Sequence, residues 1–412
     1  MNTLRRITGF LGFCIVCIST VFTQTVYTVN KTTDPDPFVY RYHFDDSICA
    51  PELIGTLQWT IRKVNDTQGD CIINFNIPGT GPHTILINHY IPQIHNSSVI
   101  IDGRTQTGYS FQNPAVIIDG QENIGDAIVA SGTTYFETDA LYIRNFLNNA
   151  IALYNTNYSK ITGNILKLGN YTDYGTSRIV VANSHNVDIY GNIMGAETTG
   201  GGLFNSTGIY LWEVDYCNIG GALSGQPNLI TQCVYGATIG DSYHIKISRN
   251  LIYDNVLGLW LLENANYNKQ APEILIFFNN ILSGTSLPGD SIEIFGSTGF
   301  QSANEYLTTV YTDASGNWSA AITGLNWPYV IATATDAANN TSMFSNAFEI
   351  SMPCTAYAGE DTAICYGEST QLNASTGASF LWASTPYDNS FTPTTNMQAL
   401  GHGILEMVIQ PM

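Results

Sequence analysis

Short apolar alternations recur along residues 150–282, and each is followed by a turn-like stretch that contains an asparagine. The first part of the repeat aligns Ile151, Ile179, Ile209, Ala237 and Leu259, each followed two residues later by another apolar side chain. Alternation with a period of two is typical of β-strands. It predicts that the aligned side chains point into a common interior while the residues between them face outward.

The second part of the repeat is a branched apolar pair followed by Asn and an aliphatic residue. The asparagines are Asn164, Asn192, Asn228, Asn250 and Asn280. Their spacing of 22 to 36 residues is too irregular for propeller blades and too long for a helical hairpin, but it suits a coil of short strands with variable loops. An amide at the same turn of every coil can bond to the amides above and below it. We therefore interpret the asparagines as a structural column.

Different patterns flank the repeats. Residues 56–65 place Leu57, Ile61 and Val64 on one helical face behind Thr56, which predicts a short helix that covers the open edge of the first coil. Beyond residue 291, alternating runs separated by turns indicate a small antiparallel sandwich. The predicted strands there are Ile292–Phe295, Tyr306–Thr312, Trp318–Ile322 and Val330–Thr335. The end of the chain, from Gly401 to Met412, shows neither a repeat nor a strand pattern.

The N-terminus has the pattern of a secretory signal. Arg5 and Arg6 precede an apolar run from Ile7 to Phe22, and we expect cleavage near Thr23 or Gln24. An uncleaved anchor is the alternative, although the run is short for a membrane span. The sequence thus predicts a secreted or outer-surface protein.

The charge balance narrows the choice of partners. The chain has 14 Lys and Arg against 33 Asp and Glu, a net charge of −19, and no Lys or Arg follows Lys269. An acidic protein is poorly suited to nucleic acid or to an anionic membrane surface. Oligomeric state cannot be deduced from these numbers.

Cysteines and metal ligands add little chemistry. Six cysteines follow the signal, and in an exported chain they suggest three local disulfides, although the sequence does not fix the pairing. The candidates pair in chain order: Cys49, Cys71, Cys217, Cys233, Cys354 and Cys365. None has metal-ligand spacing, so no metal or other cofactor is assigned, and the sequence does not show a Ca²⁺ site.

One column of polar residues beyond the aligned interior positions is a weak catalytic candidate. Counting four residues on from the aligned interior positions gives Asn155, Asn183, Glu213, Asp241 and Glu263. Because coils stack ~4.8 Å apart, adjacent acids would lie near the separation of a retaining glycosidase pair. In the alternative, loops shift the register and the acids are solvated turn residues. No catalytic residue is assigned.

Aromatic side chains accompany these acids. The alternation of inward and outward positions predicts that three rings face outward, those of Tyr210, Trp212 and Trp260. Exposed rings beside carboxylates suit a neutral saccharide. We therefore interpret the three rings as carbohydrate-binding candidates. The alternative is that they pack beneath a loop.

Three resemblances support this division of the chain. Residues 55–120, with Gly55-Thr56-Leu57-Gln58-Trp59 and Ile101-Asp102-Gly103-Arg104-Thr105, resemble the N-terminal cap and first coils of right-handed parallel β-helix proteins exported by Bacteroidota. The likeness extends weakly to about residue 283 and implies the pectate-lyase-like fold. Residues 333–342 resemble the last strand of bacterial Ig-like modules, and Ala358-Gly359-Glu360-Asp361 with Ile364-Cys365 resembles the opening of PKD-like modules in gliding-motility-associated proteins. The catalytic set of the polygalacturonases on this fold is absent here.

The sequence therefore predicts an all-β protein: a right-handed parallel β-helix with an N-terminal capping helix, a small antiparallel Ig-like β-sandwich and an incomplete β segment. The predicted divisions are a signal peptide (1–23), an N-terminal region with the capping helix (24–69), the β-helix (70–285), the Ig-like module (286–350) and a partial PKD-like segment with an irregular tail (351–412). The predicted function is an adhesin-like surface protein that contacts a neutral polysaccharide or surface glycan. The alternatives are a glycosidase or lyase on the β-helix, and a purely structural scaffold.

Overall fold

The computed structural model describes residues 24–168, 176–196 and 206–350, and the backbone of two further short strands, Gln371–Ser375 and Ile404–Val408. The chain divides into two compact units, Met1–Glu349 and Ile350–Met412. The predicted signal peptide and most of the predicted PKD-like segment, with Cys354 and Cys365, lie outside the described residues. Within the described part, no helix is long and apolar enough to cross a membrane.

The first unit begins with parallel strands and one α-helix, α1 (Leu57–Asn65), between β1 and β2. The strands are, in chain order, β1 (Thr25–Val29), β2 (Asp70–Phe75), β3 (His83–Leu86), β4 (Ser98–Asp102), β5 (Val116–Asp119), β6 (Ile128–Ser131), β7 (Tyr135–Asp139), β8 (Leu141–Arg144), β9 (Ile151–Tyr154), β10 (Asn157–Thr162), β11 (Ile165–Leu168), β12 (Thr176–Tyr190), β13 (Ile193–Ala196), β14 (Ser206–Gly220), β15 (Leu229–Ile230), β16 (Tyr235–Gly240), β17 (Tyr243–Ser248), β18 (Leu251–Ile252) and β19 (Leu257–Leu261).

These strands stack coil upon coil in three rows, which belong to two sheets because two of the rows join through long strands. One sheet runs β3, β5, β8, β11, β13, β15, β18, and the other begins β1, β2, β4, β7, β10. The second sheet forks at the long strands β12 and β14. Their first halves continue towards β9 and β16, and their second halves continue towards β10 and β17. Because neighbours are parallel and are joined by crossovers, the predicted parallel β-helix is confirmed.

The interior of the helix follows the alternation read from the sequence. Ile151 pairs with Ile179, Ile179 with Ile209, Ile209 with Ala237, and Ala237 with Leu259. All five side chains are fully buried in one continuous core. Burying an Ile or Leu side chain contributes roughly 1.5–3 kcal/mol, so the column stabilises each coil on its neighbour.

A column of buried amides runs beside this core. The Nδ2 of Asn164 donates to Oδ1 of Asn192 at 3.1 Å, that of Asn192 to Asn228 at 3.0 Å, and that of Asn228 to Asn250 at 2.9 Å. The backbone N–H of Asn164 donates to the same Asn192 oxygen at 3.0 Å. Each amide thus satisfies main-chain groups that a sharp turn would leave unpaired inside the protein.

The N-terminal region also belongs to the coil. β1 pairs in parallel with β2, so strand stacking starts at Thr25 rather than at residue 70 as predicted. Leu57, Ile61 and Val64 of α1 join the main core, and the hydroxyl of Thr56 accepts a hydrogen bond from the Trp59 N–H. The helix therefore forms where the sequence predicts it and packs its apolar face on the first coils.

From Glu273 onward the strands of the first unit are antiparallel. They are β20 (Glu273–Phe278), β21 (Ile281–Thr285), β22 (Ser291–Ser297), β23 (Glu305–Tyr311), β24 (Asn317–Ala321), β25 (Tyr329–Thr335) and β26 (Phe348–Glu349). They form two sheets, β20–β21–β24 and β23–β22–β25–β26. The prediction that the parallel helix extends to residue 285 is therefore wrong.

Asn280 is the residue that misled the sequence interpretation. It is not part of the amide column, because Phe278 pairs with Ile281 and leaves Asn279 and Asn280 as a two-residue hairpin turn. Both have left-handed backbone, with φ of 50° and 62°. Asn is favoured both in such turns and in the buried column, so the local motif alone cannot separate the two structures.

The antiparallel region covers the last coil of the β-helix. Oγ1 of Thr341 accepts from the N–H of Ile247 at 2.9 Å, and the Thr341 N–H donates to Ile245 O at 3.1 Å. Ile252 and Ala303 exchange two main-chain bonds, of 3.0 and 2.8 Å. These contacts occupy the groups that another coil would otherwise pair, so the sheet edge is not left open here.

The predicted disulfides are not present among the described cysteines: Cys49, Cys71, Cys217 and Cys233 are all buried and free. Cys71 lies in the main core, whereas Cys49 packs in a separate cluster with Leu53 and Trp59. Cys217 occupies an inward position of β14, and Cys233 precedes β16 and donates its thiol to Thr231 O at 3.3 Å. These cysteines fill apolar space, so closeness in sequence was a misleading guide to pairing.

The second unit contributes one antiparallel pair to the described structure. β27 (Gln371–Ser375) pairs with β28 (Ile404–Val408). The prediction that the tail from Gly401 to Met412 has no strand is wrong, because the Ile404–Val408 segment is extended and paired.

Candidate functional site

The outer corner between the two strand rows is built from two columns of left-handed residues. The first contains Asn155, Asn183, Glu213 and Asp241, with φ between 43° and 54°. The second lies three residues further along each coil and contains Tyr158, Asn186, Tyr216 and His244, with φ between 51° and 57°. Residues other than Gly, Asn, Asp and His rarely adopt this backbone. The two tyrosines in the second column are therefore unusual.

The predicted acids lie on this corner without forming a catalytic pair. Glu213 and Asp241 are exposed neighbours in the first column, and each accepts a hydrogen bond from an adjacent ring: Trp212 Nε1 at 3.2 Å and Tyr243 OH at 3.1 Å. Glu263 departs from the column, because the left-handed residue of its coil is Asn264. None of the three acids lines either of the grooves described below.

The predicted aromatic residues are partly used in packing. Tyr210 and Trp260 lie on one outward row, two coils apart, with Thr238 between them. Tyr210 packs against the apolar cluster that contains Val180, and the Trp260 ring stacks on Tyr235 at 4.5 Å. Trp212 is 38% exposed and covers Gly240, where a Cβ would lie 2.6 Å from its Cε3. Since their faces are partly covered, these rings offer a ligand limited surface.

The second column borders a groove of about 390 Å³, which we call the tyrosine groove. It is lined by aromatic rings and by polar side chains from five successive coils and from the antiparallel region. The lining residues are Tyr135, Tyr158, Ser159, Lys160, Asn186, Asp188, Tyr216, Asn218, His244 and Asn339. Tyr158 is 60% exposed and Tyr216 is 52% exposed, so two large rings face solvent without covering the core.

One end of the groove is rigidly held. The rings of Tyr216 and His244 stack with centroids 4.5 Å apart and planes 5° apart. Nδ1 of His244 lies 2.6 Å from Oδ1 of Asp215, and the His244 backbone N–H donates to Oδ1 of Asn340 at 2.9 Å. Because an ionised carboxylate only accepts, Nδ1 carries a proton and Nε2 is the free ring nitrogen when the imidazole is neutral.

The floor of the groove is polar and partly preorganised. Oδ1 of Asp188 accepts from Nδ2 of Asn218 at 2.8 Å and from the Tyr190 hydroxyl at 3.0 Å. Burial, with Asp188 beside the phenol, raises the pKa of Tyr190, so that hydroxyl remains a donor at neutral pH. Lys160 is the cross-strand neighbour of Asp188, yet the two form no ion pair within 4 Å, and the ammonium lies 6.0 Å from the Tyr135 ring centroid.

A second and larger groove, of about 690 Å³, lies beside α1. Tyr42, Arg62, Asp66, Tyr90 and Asp126 are among its lining residues. The Tyr42 hydroxyl donates to Asp66 at 2.7 Å, and Nδ2 of Asn149 donates to Oδ1 of Asp126 at 2.8 Å, so both carboxylates are already engaged within the protein. No cluster of three or more potential metal ligands occurs among the described residues of the chain.

Sequence reasoning missed the tyrosine groove because it carried strand parity through the corner. A left-handed residue reverses the direction of the chain locally, so the inward–outward alternation does not continue past Asn155 or Glu213. The signal was nevertheless present. Counting seven residues on from the aligned interior positions gives Tyr158, Asn186, Tyr216 and His244, a column of rings interrupted by one amide.

Comparisons with known proteins give distant structural likenesses. No protein-family model and no curated protein matches the sequence. Among solved structures, the chain is similar to ORF18 of Geobacillus virus E2, with 10% identity, a TM-score of 0.30 and 86% of each chain covered. It is also similar to the enzymatically active domain of bacteriophage CBA120 tailspike protein 2, with 12% identity and a TM-score of 0.27 over 69% of this chain and 71% of that one. The full-length tailspike protein 2, from an Escherichia coli O157:H7 bacteriophage, gives 12% identity and a TM-score of 0.27, covering 75% of this chain and 63% of that one. At such TM-scores these likenesses carry no inference about the activity of this chain.

Proposed function

We propose that this protein is an extracellular carbohydrate-binding β-helix and that the tyrosine groove holds the glycan. The observation that carries the proposal is the pair of solvent-facing rings, Tyr158 and Tyr216, beside the carboxylate of Asp188 and the amides of Asn186 and Asn218. Single exposed rings are ordinary on protein surfaces, whereas exposed rings grouped in a groove with polar side chains are typical of a ligand site. A pyranose presents an apolar face of C–H groups and an edge of hydroxyls, which fits apolar walls with a few placed polar groups.

The charge of the protein supports a neutral ligand. With a net charge of −19, long-range repulsion disfavours polyanions such as nucleic acid and anionic lipid surfaces.

The finer predictions remain part of this proposal. They are export, a right-handed winding, an Ig-like character for the antiparallel region, a PKD-like character for the second unit and an origin in Bacteroidota. Right-handed winding is supported by the general steric preference of parallel crossovers.

The proposal is tested with a glycan array and two matched variants of the full chain. We expect Tyr158→Ala combined with Tyr216→Ala to lower binding at least tenfold, because both exposed rings are lost. Trp212→Ala should leave binding unchanged, since that ring covers Gly240 outside the groove. Unfolding midpoints verify that both variants fold.

Each contrary result would assign this protein a different binding site or a different function. Loss of binding in the Trp212 variant alone would move the site to the surface of Tyr210, Trp212 and Trp260. The absence of any glycan bound by the wild type would leave the structural scaffold as the function.

One observation favours a second candidate function, hydrolysis of the bound glycan. Asp215 and His244 form a pair at 2.6 Å whose free Nε2 is the candidate base of the groove. Release of reducing ends or of ester groups by the wild type, but not by His244→Gln, would support an enzyme. Equal rates for the two proteins would exclude this pair from catalysis.

A further inference from the structure

The second left-handed column is a stack of rings with one ring missing. Along successive coils it contains Tyr158, Asn186, Tyr216 and His244, and His244 in turn meets the edge of Tyr267 at 5.8 Å. Stacked coils lie ~4.8 Å apart, which is close to the 4.5 Å between the Tyr216 and His244 centroids. At Asn186 the stack is interrupted for the length of one coil.

The interruption leaves one ring face uncovered. Tyr216 has one face against His244, with the planes 5° apart, so its opposite face is turned towards the coil of Asn186. Tyr158 lies on the next coil beyond, two coils from Tyr216, which is a separation of ~10 Å. Asn186 is exposed, and its side chain makes no hydrogen bond within the described part of the chain.

The size of this gap selects what can enter it. Carbon–carbon contacts on both sides take ~3.5–4.0 Å each, so the gap of ~10 Å admits one puckered six-membered ring and not two. The volume of the whole groove, about 390 Å³, leaves room beside the gap for the rest of a glycan.

Polar groups stand two residues further along the same coils. Lys160, Asp188 and Asn218 are cross-strand neighbours in one row, so Asp188 lies between an ammonium and an amide. Its Oδ1 is held by Asn218 and Tyr190, whereas its Oδ2 has no partner among the described residues. A fixed acceptor beside a free ammonium donor can bind two neighbouring hydroxyls of a sugar.

We propose that the coil of Asn186 is a slot for a single pyranose ring, inserted between Tyr158 and Tyr216 with its hydroxyls on Asp188 and Lys160. This inference rests on the proposed carbohydrate function and specifies its geometry. The ring plane lies across the helix axis, so the glycan leaves the slot sideways. The slot therefore recognises a terminal or branch sugar of a neutral glycan rather than a chain laid along the coils.

The test fills the slot. Asn186→Tyr completes the ring stack and should lower glycan binding at least tenfold. Asn183→Tyr is the matched control, because Asn183 is also exposed and left-handed, with φ of 50°, but lies in the first column. The control should bind like the wild type.

Saturation-transfer NMR supplies an independent readout with four probes, the methyl glycosides of glucose, galactose, mannose and N-acetylglucosamine. At least one should receive saturation from the wild type, and the signal should disappear with Asn186→Tyr and with Asp188→Ala. The Asp188 variant keeps the test decisive if Asn186→Tyr does not fold.

The outcomes separate the two levels of the proposal. Undiminished binding by a folded Asn186→Tyr protein, or failure of all four single-ring probes while array glycans bind, overturns the slot and leaves the proposed function standing. If the wild type binds no glycan at all, the proposed function itself fails.

Discussion

The buried amide column and the exposed ring column are both built by one residue per coil, yet the first holds the coils together and the second faces solvent. Asn192 is fully buried and makes four side-chain hydrogen bonds, to Asn164, Asn228 and Ile161. Asn186, six residues earlier on the same coil, is exposed and makes none within the described chain. The same residue type therefore stabilises the coil at one corner, where it is buried, and leaves a vacant position at the other, where it is exposed and left-handed, with φ of 55°.

The largest expected effect comes from deleting an amide of the buried column. Asn192→Ala removes the acceptor of two Asn164 N–H groups, at 3.0 and 3.1 Å, and the donor to Asn228. Buried groups without partners cost ~1–3 kcal/mol each, so the free energy of unfolding should fall by about 3–5 kcal/mol in urea titrations. Asn186→Ala, the matched control, should change it by less than about 0.5 kcal/mol. Equal losses in the two variants would contradict the division between the columns.

A smaller effect is expected between the two left-handed columns. Ser242 is fully buried there, and its hydroxyl accepts from the Val214 N–H at 3.0 Å and donates to Gly240 O at 2.7 Å. Ser242→Ala should lower the free energy of unfolding by ~1–3 kcal/mol, because a buried N–H loses its acceptor. Ser224→Ala, at an exposed loop position, is the control and should be neutral. A neutral Ser242 variant would show that the corner is held by backbone bonds alone.

The smallest effect should be a gain in stability at the exposed column. Tyr158 has a φ of 51°, a conformation that is unfavourable for a side chain but free for glycine. Tyr158→Gly should therefore be more stable than Tyr158→Ala by about 1 kcal/mol, although both lose the ring and with it glycan binding. The comparison of their unfolding midpoints isolates backbone strain from ring contacts. If the alanine variant is the more stable, the left-handed conformation at Tyr158 carries no cost.

Different parts of the fold were accessible to sequence reasoning to different degrees. The interior registers from Ile151 to Leu259 follow from period-two alternation, because every coil must bury the same face. The turn at Asn280 was misassigned, because Asn is favoured both in a hairpin turn and in the buried amide column. Asn280 itself is left-handed, whereas in the column the left-handed residue precedes the Asn, as at Gly163 and Gly191. The cysteines were misassigned for a related reason: sequence spacing does not show which apolar pocket each thiol fills.

The candidate site was the part of the structure that the sequence predicted least well. Trp212 and Trp260 were selected by strand alternation, and Glu213 by counting on from the same interior positions. That alternation ends at a left-handed residue, and the rings of Tyr158 and Tyr216, which face solvent, follow the bend. Only the folded chain shows that Tyr216 lies on His244 and that Asn186 interrupts the stack.

The sequence by itself thus determined the strand period, the inward positions, the helix over Leu57–Asn65 and most of the amide column, since each depends on a local pattern repeated under one constraint, burial. The tertiary structure decided where the parallel coil ends, which cysteines remain free and which outward side chains meet. Those features depend on contacts between residues about 20 to 100 positions apart, such as Ile247 with Thr341 or Asp215 with His244. No local pattern of polar and apolar residues encodes such distances.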